Sequence, residues 1–359
     1  MKFIYKITLL FLLFPLITSA NNDKEKHEKS KSIKKEYTVN ADALVKLNNR
    51  YGNLNISTWD KNRVEIEVTI TVKGDDLDDV EEKLQSIDVE FNANSSLVEA
   101  ETIFGKKKSN WSWWSKNKNI NYKINYVVKM PKSNSVDLDN DYGNIYLEDL
   151  DGKAAINCDY GKISVGDLSA SNNDINLDYC SSSSINYMKS GDINVDYSKI
   201  SVDKSQSLKV NSDYSTVKIG ETRNVDFNID YGSITINQVD NIDGNSDYAS
   251  MRIGTVRKNV IIDTDYGSIT IKNLEKGFEN VDITGQYAGI KIGVAADAVF
   301  NFEVDLQYAG FGRNDDKIEM FKSISKSTKK YYEGKYGKGN TNSRVKIKSQ
   351  YGGVSIREN

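Results

Sequence analysis

Val225-Asp226-Phe227-Asn228-Ile229-Asp230-Tyr231-Gly232-Ser233-Ile234-Thr235-Ile236 decides the fold of this chain. Apolar residues alternate with polar ones up to Tyr231, as they do in a half-buried strand. Alternation resumes at Ile234 and Ile236 with the parity changed, so the chain must bend at Gly232-Ser233. Read strictly, alternation puts Tyr231 on the inner side with residues 225, 227 and 229. That assigns the Tyr to core or corner packing rather than to stacking on sugars.

The same phrase recurs along the chain. Asp-Tyr occurs at Tyr142, Tyr160, Tyr179, Tyr197, Tyr214, Tyr231, Tyr248 and Tyr266, at intervals of 17 to 19 residues. Gln-Tyr follows at Tyr287, Tyr308 and Tyr351, and Arg50 precedes the earliest copy, Tyr51. Gly, Ala or Ser follows the Tyr in most copies, as a tight corner requires. A period this regular means one structural unit stacked on itself, because a lone strand-corner-strand unit cannot bury enough apolar surface. The expectation is all-β: a single-stranded β-solenoid of about ten coils of 17–21 residues, each strand bonded to the coils above and below. An antiparallel sandwich or barrel is the rival, but it does not ask for a register held through so many copies.

The remaining segments read as follows. Residues 1–20 have a secretory pattern: Lys2 and Lys6, an apolar run from Ile7 to Ile17, and the small residues Thr18-Ser19-Ala20. That run is short for a bilayer span, and no later stretch is apolar enough to be a transmembrane helix. Residues 21–36 are Lys-rich and unpatterned, the composition of a flexible tether, and hold the chain's one His, His27. Residues 37–134 read as a β-rich capping domain with strands at 65–72 and 121–130. One helix is expected from Asp75 to Ile87, with Leu77, Val80, Leu84 and Ile87 on one face. Residues 135–312 are the repeats. Residues 313–359 are a Lys-rich insertion and a terminal coil, and the caps at both ends shield open strand edges.

These Tyr-Gly-x-apolar-x-apolar repeats, with the first copy Tyr51-Gly52-Asn53-Leu54-Asn55-Ile56 followed by Trp59-Asp60, resemble the "putative adhesin", or toast-rack, domains of unknown function in bacterial envelope proteins. The resemblance covers nearly the whole chain after residue 20. It implies a right-handed, β-helix-like solenoid and an exported location, and it carries no catalytic residue.

Stacking turns each repeat position into a column. Positions before the Tyr are acidic or amide (Asp174, Asn176, Asp178; Asp226, Asn228, Asp230), and positions after it are hydroxyl or basic (Lys199, Ser201; Ser250, Arg252). An acidic face beside a neutral-to-basic one is expected despite a net charge of only -3. Carboxylates about 5 Å apart repel by roughly 0.8 kcal/mol in water, so the Asp column must be solvated, hydrogen-bonded or neutralised. No cofactor is implied. Calcium is the cation such oxygens would favour, but the Gly-rich nonapeptide of calcium-binding β-rolls is absent, and Asp bonded to corner amides accounts for the column.

Trp111, Trp113 and Trp114, beside Lys106, Lys107 and Lys108, form the candidate ligand or membrane contact, set against a hairpin loop folded over the solenoid end. Cys158 and Cys180 flank their tyrosines at positions that strict alternation places on opposite faces, so free, buried thiols are expected.

Enzyme chemistry finds little support in this pattern, although carboxylates alone can serve polysaccharide-cleaving solenoids. A single His excludes histidine triads and histidine metal sites, and the Asp residues recur evenly where a catalytic set should occur once. The balanced charge argues against nucleic acid. The leading function is a non-catalytic exported solenoid, an adhesin-like or scaffold protein of the cell envelope. Its partner would be an envelope protein, a glycan or a lipid surface, with the protein periplasmic, at the outer surface or secreted. A periplasmic stress or signalling accessory is the second reading, and a polysaccharide-cleaving solenoid the third.

Overall fold

The computed structural model describes residues 26–105 and 119–359, and in them the chain is all β apart from one α-helix and a single 3-10 turn. The strands form one long open sheet that winds as a solenoid-like stack. Each strand ending at an Asp-Tyr corner pairs in parallel with its equivalents in the coils on either side. Ala154–Asp159, for example, lies between Ser135–Asp141 and Asn173–Asp178, Asp facing Asp in register. The strands leaving the corner pair likewise, Lys162–Leu168 with Asn144–Leu147 and Ser183–Asp196. In the central coils the return is itself strand. Ser183–Asp196, Lys199–Asp213, Thr216–Asp230, Ser233–Asp247 and Ser250–Asp265 run almost unbroken from one Tyr to the next. Parallel pairing in register is what the repeat period asks for, and antiparallel pairs are confined to the two ends.

The core is a set of inward columns. Four residues before the tyrosines stand Leu138, Ile156, Ile175, Ile193, Val210, Phe227, Ile262 and Ile283, all essentially inaccessible to water. The one gap in that column, Gly244, is filled by its neighbour: a Cβ there would meet the Phe227 ring at 2.2 Å. Toward the first coil the inner corner turns polar and is fully bonded. Asn49 Nδ2 donates to Asn140 Oδ1 at 2.9 Å, Thr102 Oγ1 donates to Asn49 Oδ1, and Tyr126 joins Thr102.

Three features depart from the sequence reading. Residues 27–36 are not a tether: His27–Thr38 is a strand paired antiparallel with Arg63–Gly74, which pairs in turn with Ile120–Pro131. The edge this strand presents carries Lys29, Lys31, Lys34 and Lys35, and charge on an edge discourages further pairing.

The copy at the chain's end is not the end of the stack. Arg344–Gln350 lies between Asn280–Gln286 and Phe300–Gln307, parallel to both, and Val354–Glu358 lies between Gly289–Val294 and Phe311–Arg313. The hairpin Ile318–Lys326 and Lys329–Tyr336 covers Phe300–Gln307 antiparallel. Finally, Cys158 and Cys180 do not face opposite sides. Both are free and buried, and the Cys180 thiol donates to the Cys158 carbonyl at 3.0 Å. The corner between them reverses the alternation. A hydrogen bond to Cys180, together with burial, pushes the Cys158 thiol up.

The single helix among the described residues, Leu77–Ser86, lies within the expected span from Asp75 to Ile87, but it starts two residues later and Ile87 opens the next strand. The Asp76 carboxylate accepts from the Asp79 amide, Asp78 and Asp79 stand in the first turn, and Val80 is buried.

Candidate functional site

All twelve repeat tyrosines adopt the left-handed region, with φ between 49° and 60°. For a bulky L-residue this conformation is costly, and Gly, Asn or Asp takes it more readily. Its consequence is geometric. The Tyr itself is the kink, so the side chain that strict alternation sends inward turns outward, while the small residue after it turns in. Tyr142 to Tyr308 are 43–53% exposed, where the sequence reading buried them. The amide still finds a partner, since Tyr142 donates to the Asp159 carbonyl of the next coil at 2.9 Å and the other corners repeat the bond, except that Tyr308 donates to the Thr328 carbonyl of the terminal hairpin.

The small residue follows from close approach. A Cβ at Gly143 would lie 1.7 Å from the Gly52 carbonyl oxygen, and one at Gly161 would lie 1.9 Å from that of Gly143. Where Ser stands there instead, its hydroxyl bonds the carbonyl two residues back in its own coil. Ser198 and Ser215 donate to the Asp196 and Asp213 carbonyls, each at 2.7 Å.

Outside, the rings form one continuous ladder. Successive centroids are 4.6–5.3 Å apart and successive planes within 7° of parallel, in the spatial order Tyr51, 142, 160, 179, 197, 214, 231, 248, 266, 287, 351, 308. Tyr122 and Phe104 close the first end edge-on against Tyr51. Because each ring covers its neighbour's face, the ladder presents edges and hydroxyls, and sugar stacking on ring faces has no room between rungs. Among the described residues, no ladder hydroxyl from Tyr142 to Tyr308 has a hydrogen-bond partner.

An acidic column lies along one flank: Asp141, 159, 178, 196, 213, 230, 247 and 265 in register. Its ends are neutralised. Arg50 pairs with Asp141 at 3.1 Å, and Gln286, Gln350 and Gln307 continue the column without charge. Burial, and then neighbouring carboxylates, hold Asp159, Asp230 and Asp265 above the usual carboxylate range. Beyond the aspartates runs an amide ladder, in which Asn176, Asn194 and Asn211 each donate to the preceding rung at 2.8 Å. Lys162, Lys199, Lys218, Arg252 and Lys291 stand on the strands of the other flank, among Ser and Thr rungs. The ridge is therefore aromatic at its crest, acidic on one side and hydroxyl-to-basic on the other.

The other candidates divide. Trp111, Trp113, Trp114 and Lys106, Lys107 and Lys108 lie outside the described residues. Among the described residues, no group of three or more His, Cys, Asp or Glu is arranged to hold a metal ion, and no helix is long and apolar enough to cross a membrane. The outward turn of the ladder was the feature that alternation misses. A signal for it exists, since Ile229 and Gly232 both need the inside and are three residues apart, leaving one residue out of phase between them.

Fold and surface define a β-repeat protein with a single continuous ridge of side chains. No protein-family model matches the chain, and no curated protein does. It is similar to solved structures described as a "putative cell adhesion protein" from Clostridium sporogenes (12% identity, 92% of this chain and 100% of that one, TM-score 0.19) and a "putative adhesin" from Bacteroides fragilis (10%, 91% and 97%, TM-score 0.30). A third is described as a "putative lipid binding protein" from Parabacteroides distasonis (12%, 93% and 97%, TM-score 0.23). The first two descriptions agree with the family the repeats resemble. At these identities and TM-scores the likeness assigns nothing to this chain's surface.

Proposed function

We propose that the protein is a non-catalytic, exported solenoid, wound right-handed in about ten coils, that acts at the cell envelope as an adhesin-like scaffold. Its binding surface is the tyrosine–aspartate ridge. One observation carries the reading: twelve tyrosines occupy left-handed corners that Gly or Asn would fill at lower cost, and each leaves roughly half its surface in water. The backbone does not ask for Tyr there. A contiguous aromatic strip on a folded surface marks a place of interaction. Export is supported by the secretory pattern of residues 1–20.

The test compares wild type with a variant carrying Tyr→Asn at Tyr197, Tyr214, Tyr231 and Tyr248. Asn tolerates the left-handed corner, so the fold is kept, as circular dichroism would verify. Binding to isolated envelope fractions should fall at least tenfold. Equal retention of the two proteins would remove the ridge as the binding surface.

A further inference from the structure

Resting on the reading of the ridge as a binding surface, we infer that its partner is a second copy of this chain: two rods side by side, pointing the same way, ladder against ladder. The spacing is the first reason. A partner that touches many rungs must repeat at the ladder's own 4.6–5.3 Å, or it falls out of phase within a few rungs. That interval is the distance between neighbouring β-strands, so a stack of strands supplies it by construction. A second copy also reproduces the local unevenness, such as the 5.3 Å step from Tyr51 to Tyr142 and the 4.6 Å step from Tyr287 to Tyr351, provided both rods run in the same direction. Identical side chains stacked at strand spacing form dry, complementary contacts between sheets.

Charge selects the same arrangement. With the two-fold axis along the rods, the flank that carries Asp178, Asp196, Asp213 and Asp230 in one copy faces the flank that carries Lys199, Lys218 and Arg252 in the other. Turning one rod end over end would set aspartate against aspartate instead, a repulsion repeated at every rung. The area is sufficient. Twelve rings, each roughly half exposed out of about 200 Å², offer about 1,000 Å² per copy, against about 800 Å² in a standard interface. Tyr is also among the side chains that contribute most at interface centres.

The test uses the full exported chain. Sedimentation velocity at micromolar concentration should show a dimer, and the variant with Asn at Tyr197, Tyr214, Tyr231 and Tyr248 should sediment as a monomer. Single Tyr→Cys changes at Tyr160, Tyr231 and Tyr287 fix the orientation under mild oxidation. In the same-direction dimer each rung meets its own counterpart, so all three should cross-link as disulfide dimers. Cross-linking at no more than one of them overturns the parallel arrangement. A copy with Asp196, Asp213 and Asp230 changed to Lys should be monomeric alone, as should one with Lys199, Lys218 and Arg252 changed to Asp; mixed, the two should form a heterodimer. A wild-type monomer at every concentration overturns self-association. If that monomer still binds envelope fractions in a Tyr-dependent way, the ridge stands as a binding surface for another partner.

Discussion

Tyr214 shows what a single corner asks of its residue. It is left-handed at φ 49° and stacked on Tyr197 at 5.0 Å and on Tyr231 at 4.9 Å. The two stacks contribute about 0.5–1.5 kcal/mol each, while the backbone conformation costs about 1–2 kcal/mol. Both Tyr214→Ala and Tyr214→Gly lose the stacks, but only Gly is released from the strain. The Gly variant should therefore be the more stable by about 1 kcal/mol in urea unfolding, the reverse of the usual ranking in a strand. A more stable Ala variant would mean that the corner is unstrained. Inside and outside were legible in the sequence for nearly every strand residue around this corner, because extended backbone alternates. The tyrosines were not, because alternation holds only while φ stays negative, and a left-handed residue drops out of phase. Cys180, directly after its corner, was misplaced for the same reason.

Within the element, columns matter more than single positions. Phe227 and Gly244 share one column in adjacent coils, where the neighbouring rungs are Val210 and Ile262. Gly244→Val should cost about 1–3 kcal/mol by driving a side chain into the Phe227 ring. Phe227→Val alone should be destabilising through the cavity it leaves. Together the two changes restore a Val–Val–Val–Ile column, so the double variant should lose less than the sum, with a coupling of about 1 kcal/mol or more in a double-mutant cycle. Additivity would mean that the column relaxes freely. The order of the coils was legible only as far as Tyr287. After it the copies at Tyr308 and Tyr351 present the same Gln-Tyr corner, and either can stack on Tyr287. The hairpin between them gives the last copy room to return and insert. Deleting residues 344–359 removes the parallel partner of Phe300–Gln307. Amide exchange should then quicken across residues 300–336 and stay slow from 135 to 265, since each coil leans on its immediate neighbours.

At the scale of the whole rod, a net charge of -3 conceals a segregated surface, and its acid column sets the response to pH. Asp139, Asp159, Asp230 and Asp265 are all held above the usual value of 3.8, by burial first and then by nearby carboxylates. The folded chain therefore binds protons more tightly than the unfolded one. As pH falls from 7 through the raised values, stability should increase, and the gain is complete near 3.8, where the unfolded carboxylates also protonate. Asp297, lowered by its bond from Lys276, works in the opposite direction but is a single group. At the alkaline end, Tyr160 and Tyr248 are raised above 10.0 by shielding from water and then by adjacent phenols and carboxylates. Their contribution is present below pH 10 and is lost as pH climbs through the folded values. The thermal midpoint, measured in dilute solution to limit association, should thus be higher at pH 5 than at pH 7. Salt should narrow the difference, because at about 1 M the screening length shrinks to about 3 Å, shorter than the rung spacing. Replacing Asp159, Asp230 and Asp265 with Asn should raise the midpoint at pH 7 and flatten its dependence on pH. A midpoint that falls on mild acidification would show that local hydrogen bonds and not mutual repulsion govern the column.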